Sequence, residues 1–260
     1  MLKPKNKFAI YRCLFSDYDK ILNELQVFEG FDYYLFTDNP NLKIFPYQNI
    51  YIPPKFETPS LDNRHCKIIL PDIIYKYDAS VYIDANILIV GNIKELINDF
   101  IASKCDIGLF KHPYSKTLDE EVKLCKKTNK CGPDILDQEI KFYKKLKVEK
   151  VKMFSDNSII MRSYNNQNII DAMKYWFSLV EQFSGRDQIS LPAVRSIYKL
   201  KEYFFDFSPR TKKNGYFAVL PHKVKQSSSN LNRVLNFFII FYSKRIFYYF
   251  FVHLKKFISK

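Results

Sequence analysis

The sequence predicts a mixed α/β fold with a mainly parallel sheet flanked by helices. Short apolar runs rich in β-branched and aromatic residues, which suit buried strands, alternate with longer amphipathic segments, which suit helices. Several of the strand-like runs end in acidic or amide residues, at the position where ligands bind in open α/β sheets. With 260 residues, 47% hydrophobic and 26% charged, the chain suits one such domain with an appendage, or two small domains.

Each element is predicted from its own pattern and from the turn residues that flank it. The strand-like runs are residues 8–15, 31–36, 44–52, 80–83, 105–110, 151–154, 158–161 and 203–207. The helical segments are residues 20–26, 61–77, 92–102, 117–127, 136–147, 165–183 and 189–198. Pro71 requires a kink or a break in the second of these helices. Residues 155–157 are expected to form a turn between two strands.

Asp84, Ala85 and Asn86 form the motif around which the functional prediction is organised. They follow a β-branched strand, which delivers the carboxylate and the amide to the carboxyl end of the sheet. These hard oxygen ligands suit a divalent cation, Mn²⁺ or Mg²⁺, that would hold a diphosphate. An Asp-x-Asn sequence after a strand is also typical of a simple turn with side-chain caps, so both interpretations stand at this point.

Two further groups of polar residues are expected near this edge. Asp17 follows the first strand, while Thr37 and Asp38 follow the second, so parallel strands bring them to the same edge of the sheet. Asp38 suits a nucleotide base or ribose hydroxyl, or it caps a turn. Arg64 and Lys67 lie three residues apart on one helical face, as a clamp for phosphate oxygens or as a solvated pair.

The second half of the chain contributes more candidate positions. His112 directly follows a strand, although a lone histidine is more often structural. Asp156 falls in the predicted turn, and His222 ends an apolar run. A helix N-terminus favours anionic or hydroxyl-rich ligands. The block at such an N-terminus contains Arg186, Asp187 and Gln188.

Residues 226–260 are predicted to form a separate segment after a domain that spans residues 1–225. The net charge of the chain is +14, and the acid-free stretch 222–260 contributes eight Lys and Arg residues to it. Residues 231–258 combine Phe- and Tyr-rich blocks with positive charges alone, a pattern typical of a helix that lies on an anionic membrane surface. Packing of this helix against the domain or a dimer partner is the alternative.

The remaining composition predicts the cellular compartment. The N-terminus has no signal-peptide pattern, and no uncharged run reaches the roughly 20 residues of a membrane-spanning helix. Five scattered cysteines without the spacing of a zinc site suit reduced thiols in the cytosol. We therefore expect a cytoplasmic protein that is peripheral on the inner face of the cytoplasmic membrane.

Four motifs occur in an order that resembles a known family. They are Arg64-x-x-Lys67, Asp84-Ala85-Asn86, His112-Pro113 and the block from Arg186 to Ser190. Over residues 7–222 the chain resembles the TOD/MUCI-like glycosyltransferase family. This resemblance implies the GT-A-like, Rossmann-like fold and a nucleotide-sugar donor. The implied donor-binding residues are Asp17, Thr37, Asp38, Arg64, Lys67, Asp84, Ala85, Asn86, His112 and Arg186.

A more distant likeness is to the glycogenin and lipopolysaccharide galactosyltransferase family. It implies that Asp84, Asn86 and His222 hold the metal ion. It also implies that Asp187 and Gln188 lie near the donor sugar, as catalytic residues. Asn86 departs from that family, which has a second carboxylate at this position, so a metal ion would bind less tightly here.

The reaction that these resemblances imply is metal-assisted transfer of a sugar from a nucleotide-diphosphate donor. It passes through an oxocarbenium-like transition state, and a divalent ion with Arg64 and Lys67 would stabilise the departing diphosphate. The distant likeness slightly favours retention of configuration, whereas an inverting reaction would need Asp187 or Asp156 as the general base. The expected acceptor is a lipid-linked glycan such as lipopolysaccharide, capsule or glycolipid.

Two other functions fit parts of the sequence. A basic module that binds nucleic acid would explain the positive net charge. However, that charge is concentrated in an aromatic tail and no recognition motif is present, so we expect no nucleic-acid partner. A sugar nucleotidyltransferase would release pyrophosphate, but the chain has no glycine-rich phosphate loop near its N-terminus.

Overall fold

The structure is a computed structural model that describes residues 7–16, 19, 21–69, 71–146, 153–164, 166–211 and 214–220. Within these residues the strands are β1 (Phe8–Leu14), β2 (Phe31–Thr37), β3 (Gln48–Tyr51), β4 (Ala79–Ile83), β5 (Ile87–Ile89), β6 (Ile107–Lys111), β7 (Ser155–Ser163), β8 (Glu202–Phe205) and β9 (Phe217–Val219). The α-helices are α1 (Pro59–Ile68), α2 (Lys94–Ser103), α3 (Leu118–Lys127), α4 (Pro133–Lys145), α5 (Gln167–Gln182) and α6 (Asp187–Tyr198). The predicted tail, residues 226–260, lies outside the described residues.

Seven of these strands form one sheet, in the order β3-β2-β1-β4-β7-β6-β8. Strand β7 runs antiparallel to its neighbours β4 and β6, whereas the other neighbouring pairs are parallel. Strands β5 and β9 pair antiparallel in a separate two-stranded sheet. The predicted mixed α/β fold with a mainly parallel sheet and flanking helices is confirmed.

Both faces of the large sheet are buried, because helices cover each of them. Successive side chains of a strand point to opposite faces and so enter different core clusters. In β1, Tyr11 belongs to the core cluster that α1, α5 and α6 complete on one face. Its neighbour Ile10 belongs to the cluster that α2 covers on the other face. Burial on both sides explains why the strands are nearly continuous apolar runs in the sequence.

Capping residues mark the starts of several helices. The Thr58 hydroxyl accepts a hydrogen bond from the Leu61 N–H at the start of α1, and Thr117 accepts from Glu120 at the start of α3. Such caps satisfy backbone donors that lack partners in the first turn of a helix. In the part of the chain that the structure describes, no helix combines the length and the apolar character needed to cross a membrane.

Two predicted helices differ from the structure. Residues 21–26 form no helix, and the backbone there pairs with a neighbouring loop through a 2.8 Å bond from the Glu24 N–H to the Phe45 carbonyl. Helix α1 ends at Ile68, so residues 61–77 are not one helix, and the break expected from Pro71 is confirmed. The break lies shortly before Pro71, because proline disfavours helical geometry in the residue that precedes it.

The predicted turn at residues 155–157 is also wrong. These residues are the first three of β7, a single nine-residue strand. Ser155 and Asp156 pair with Lys111 and Phe110 of β6, so the ladder continues through the segment. Pairing between strands that are distant in sequence therefore overrides the local turn preference of Ser, Asp and Asn.

Candidate active site

A cleft of about 700 Å³ opens at the carboxyl ends of β1, β4 and β6. One face of α1 lines it, since Ser60, Arg64 and Lys67 recur at intervals of four and three residues. The N-terminus of α6 also lines it, through Asp187 and Gln188. The cleft thus lies at the edge of the sheet where ligands bind in α/β proteins.

Asp84 leaves the end of β4 with a side chain that is 27% exposed in the cleft. The Tyr82 hydroxyl donates a hydrogen bond to its Oδ1 at 2.7 Å. Lys67 Nζ lies 3.7 Å from Oδ1, and Arg210 Nη2 lies 3.8 Å from Oδ2. The carboxylate at the end of this strand is therefore flanked by two cations.

A buried ion pair holds the backbone at Asp84. Arg12 of β1 is fully buried and donates to the carbonyl groups of Asp84 and Ala85, at 3.0 and 3.1 Å. Its charge is balanced by Glu24, which also accepts from the Tyr47 hydroxyl. The non-helical path of residues 21–26 brings Glu24 to this position, and the turn after β4 is fixed as a result.

Asn86 is directed into the protein and is only 1% exposed. Its Nδ2 donates to the Leu220 carbonyl at 3.2 Å, and its own carbonyl accepts from the Leu220 N–H at 2.7 Å. Its Oδ1 is buried and has no hydrogen-bond partner among the described residues. That oxygen and the Asp84 carboxylate are hard donors of the kind that Mn²⁺ and Mg²⁺ prefer, so their chemistry fits such an ion. Asp84 lines the cleft, whereas Asn86 does not.

The third predicted metal ligand is not among the described residues. His222 lies outside them. Within the described ranges, no group of three His, Cys, Asp or Glu side chains is arranged to hold a metal ion.

Asp187, the first residue of α6, forms a buried ion pair with Lys67, whose Nζ lies 2.6 Å from Oδ2. Burial alone would raise the pKa of Asp187, but Lys67 and, to a smaller extent, Arg64 outweigh it and lower that pKa to about 2. The Asp187 carbonyl accepts from Asn157 Nδ2 at 3.1 Å and from Trp176 Nε1 at 3.2 Å. Asp187 is therefore a fixed, ionised carboxylate.

Arg210 is a cleft residue that the sequence analysis missed. Its Nε donates to Asp156 Oδ2 at 2.9 Å, while Nη2 faces Asp84. Burial disfavours its charged form, but Asp156, Asp84 and, more weakly, the Tyr114 phenol raise its pKa above the ordinary value. Its Ser-Pro-Arg-Thr loop carries no periodicity or motif, so only the three-dimensional structure identifies this residue.

Two further arginines line the cleft, Arg186 at the start of α6 and Arg64 in α1. Arg186 Nη2 donates to Gln188 Oε1 at 2.8 Å and lies 3.5 Å from Oε1 of the buried Glu121. Arg64 Nη1 donates to the Ser60 carbonyl at 3.1 Å. The Nε atoms of both arginines are buried and have no partner among the described residues. Unsatisfied arginine donors beside a cleft are groups that a bound anion would satisfy.

Not every predicted residue lines the cleft. Thr37 is buried beneath the sheet edge, and the Asp38 carboxylate accepts from the Ser16 N–H at 2.9 and 3.0 Å. These contacts match the alternative of a turn cap. Asp156 is fully buried behind Arg210 and does not line the cleft either. Asp17 lies outside the described residues.

His112 lines the cleft, but its main hydrogen bonds hold its own loop. Its side chain is only 7% exposed, and burial lowers its pKa below the ordinary value for histidine, although Glu121 and Asp156 oppose that shift. Its Nδ1 accepts hydrogen bonds from backbone N–H groups of its own loop. The ring is therefore held neutral, with its proton on Nε2, which faces Glu121 Oε2 at 3.7 Å.

Comparison with known proteins gives one family match. The family model of the TOD1/MUCI70 glycosyltransferase-like domain matches residues 56–215, a segment that includes Asp84, Asp187 and Arg210. No curated protein matches the chain. Among solved structures, the chain is similar to the apo structure of the bifunctional glycosyltransferase WbbM, with 10% sequence identity and a TM-score of 0.42. That similarity covers 78% of this chain and 40% of the other, so the chain spans less than half of that protein.

Proposed function

Because the chain belongs to the TOD1/MUCI70 glycosyltransferase-like family, whose activity class is glycosyl transfer, we propose that it moves a sugar from a nucleoside-diphosphate donor to a glycan acceptor. The observation that carries this proposal is the cluster of Lys67, Asp84 and Arg210 in the cleft. It combines cations for a diphosphate with a strand-end carboxylate, at the ligand-binding edge of an α/β sheet.

Stabilisation of the leaving group is the main task of the cleft. When the bond from the sugar to the diphosphate breaks, negative charge develops on the phosphate oxygens. Arg64, Lys67 and Arg210 would donate to that charge with little rearrangement, because hydrogen bonds and ion pairs within the protein already hold them. Arg186, at the positive N-terminal end of α6, adds to the same field.

We also propose that a divalent ion, Mn²⁺ or Mg²⁺, binds the diphosphate together with these cationic side chains. The Asp84 carboxylate and Asn86 Oδ1 would hold it, with His222 as a further ligand. When bound, such an ion supplies Lewis-acid stabilisation of the diphosphate. The unpartnered Oδ1 of Asn86 supports this assignment.

We favour retention of configuration for the proposed reaction. Inversion would need a general base near the acceptor hydroxyl. Asp187, with a pKa of about 2, is a weak base, and Asp156 is occupied by Arg210 outside the cleft. Asp187 and Gln188 instead suit a position beside the donor sugar, where an ionised carboxylate stabilises positive charge on the ring.

The proposed acceptor is a lipid-linked glycan, such as lipopolysaccharide, capsule or glycolipid, at the inner face of the cytoplasmic membrane. Its support is the composition of residues 231–258, which combine Phe and Tyr blocks with Lys and Arg and no acid. Such a segment binds an anionic surface through buried apolar area and about 1 kcal/mol per basic residue.

Truncation after Gln226 tests the membrane proposal. The shortened protein should lose binding to vesicles that contain anionic lipid in a sedimentation assay, because eight basic residues lie in 222–260 and most of them are removed. Vesicles of neutral lipid provide the control. Unchanged binding to anionic vesicles would contradict a membrane role for this segment.

A thermal-shift screen of nucleotide sugars, with and without Mn²⁺, tests the enzymatic proposal. A donor that binds the folded state raises the melting temperature of the full chain, and the shift increases with the logarithm of the ratio of donor concentration to dissociation constant. We expect one donor to do so, and more strongly with Mn²⁺. Stabilisation by an oligonucleotide and by no nucleotide sugar would instead support a nucleic-acid-binding module.

A further inference from the structure

The loop after β6 presents an aromatic ring to the cleft. Tyr114 is 79% exposed, the highest value for a large hydrophobic side chain in the described ranges, and it lines the cleft beside His112 and Pro113. The exposed aromatic residues Phe45 and Tyr51 do not line it. Tyr114 is therefore the aromatic residue of this set that a ligand in the cleft would meet.

Buried groups hold the backbone of this loop in place. The His112 N–H donates to the Phe154 carbonyl at 3.0 Å, and His112 Nδ1 accepts from the N–H groups of Tyr114 and Ser115, at 3.3 and 2.7 Å. The Ser115 hydroxyl donates to the buried carboxylate of Glu121 at 2.7 Å. The loop is thus rigid at its base, while the ring that it carries remains in solvent.

The position of Tyr114 distinguishes it from the proposed donor-binding groups. The cleft extends from Asp19, which follows β1, past Asp84, which follows β4, to Tyr114, which follows β6. In the sheet, β6 lies beyond β7 on the side of β4 that is opposite to β1. Arg210 lines the cleft together with Tyr114, and its Nη2 lies 3.8 Å from Asp84 Oδ2. Tyr114 therefore lies on the side of the proposed diphosphate cluster that is opposite to the β1 end of the cleft.

We propose that Tyr114 is the platform of the acceptor subsite, on which a pyranose ring of the acceptor stacks with its apolar C–H face. This inference rests on the proposed glycosyl transfer. The face of an aromatic ring carries partial negative charge and attracts polarised C–H groups. A rigid platform holds one sugar ring in a fixed orientation, so that a hydroxyl is directed towards the reacting carbon of the donor.

Saturation-transfer NMR with a panel of octyl pyranosides tests the subsite through binding alone. The full chain is first bound to the nucleoside diphosphate that corresponds to its most stabilising nucleotide sugar. The octyl glycosides of glucose, galactose and mannose are then added as probes. We expect saturation of ring protons of at least one pyranoside with the wild type and with Tyr114→Phe. The signal should be lost with Tyr114→Ala and retained with Tyr51→Ala, whose side chain is exposed on β3 outside the cleft.

Kinetics with the same pyranoside provide the second measurement. Tyr114→Ala should raise the KM for the acceptor about five- to ten-fold, the size expected for one aromatic contact, and leave the KM for the donor unchanged. Because Tyr114 is so exposed, its removal should leave the melting temperature unchanged. Ring-proton signals that are absent in the wild type or survive Tyr114→Ala, or an equal change in both KM values, would overturn the subsite. Failure of glycosyl transfer itself would appear separately, as the absence of any nucleotide-sugar thermal shift.

Discussion

The carboxyl end of β2 and the carboxyl end of β4 carry the same kind of side chain in different surroundings. Asp38, after β2, accepts hydrogen bonds from the Ser16 backbone and does not line the cleft. Asp84, after β4, has Lys67 and Arg210 within 4 Å and faces the cleft. Both residues are acids at the end of a strand, so residue type and strand position do not distinguish them. The cationic side chains that surround Asp84, and not Asp38, make Asp84 the candidate functional group.

The largest expected effect is the loss of glycosyl transfer in Asp84→Ala. We expect the rate to fall about a hundred- to a thousand-fold, because the variant lacks the carboxylate that would hold the divalent ion and that flanks Lys67 and Arg210. Release of nucleoside diphosphate measures the rate, and the melting temperature shows whether the variant is folded. Asp38→Ala is the matched control and should keep the rate within about two-fold, because a turn cap contributes to stability by about 1 kcal/mol and not to the reaction. Equal losses in the two variants would contradict the distinction between these strand ends.

The next effect is on stability and concerns Lys67, the cation that pairs with Asp187. Lys67→Met leaves the Asp187 carboxylate buried with less compensation, and we expect the free energy of unfolding to fall by about 3–5 kcal/mol in chemical denaturation at pH 7. Lys111→Met removes one partner of an exposed pair with Asp206, and it should cost no more than about 1 kcal/mol. A similar, small cost for both variants would show that the Lys67–Asp187 pair is not a buried interaction.

The pH dependence of that pair follows from the pKa of Asp187. Its value of about 2 in the folded protein lies below the ordinary value of 3.8, so its charge stabilises the folded state above about pH 4 by about 2 kcal/mol. That contribution is lost as the pH falls through 2. The difference in unfolding free energy between wild type and Lys67→Met should therefore shrink between pH 4 and pH 2. A constant difference over this range would contradict the low pKa.

The smallest effect concerns donor affinity and Arg210. Arg210→Gln should raise the dissociation constant of the nucleotide sugar about ten-fold in titration calorimetry, because one charge-assisted contact to the diphosphate is lost. Arg210→Lys should recover only part of that affinity, since an ammonium group does not span Asp84 and Asp156 as a guanidinium does. An unchanged dissociation constant in Arg210→Gln would exclude a role for this residue in donor binding.

The sequence predicts the fold well because the decisive signals are local. Strands β1, β2, β4 and β6 are apolar runs with clear ends, and Thr117 marks the start of α3 with capping chemistry. The turn predicted at residues 155–157 failed because β6 pairs with Ser155 and Asp156, and β4 pairs with the same strand from Ile159 onwards. No local pattern contains that information.

The site is predicted in part for the same reason. The spacing of Arg64 and Lys67 and the position of Asp84 after a strand are local features, and the structure brings these residues together. Arg210 was missed, and Asp187 was considered as a base, because both assignments depend on charges that approach from distant parts of the chain. The low pKa of Asp187 is caused by Lys67 and Arg64, which lie more than one hundred residues earlier.

Phosphorus NMR of the products that the full chain forms from its stabilising nucleotide sugar shows which phosphate bond is broken. We expect resonances of a nucleoside diphosphate with the wild type and none above background with Asp84→Ala. Release of pyrophosphate would contradict glycosyl transfer and indicate a nucleotidyltransferase.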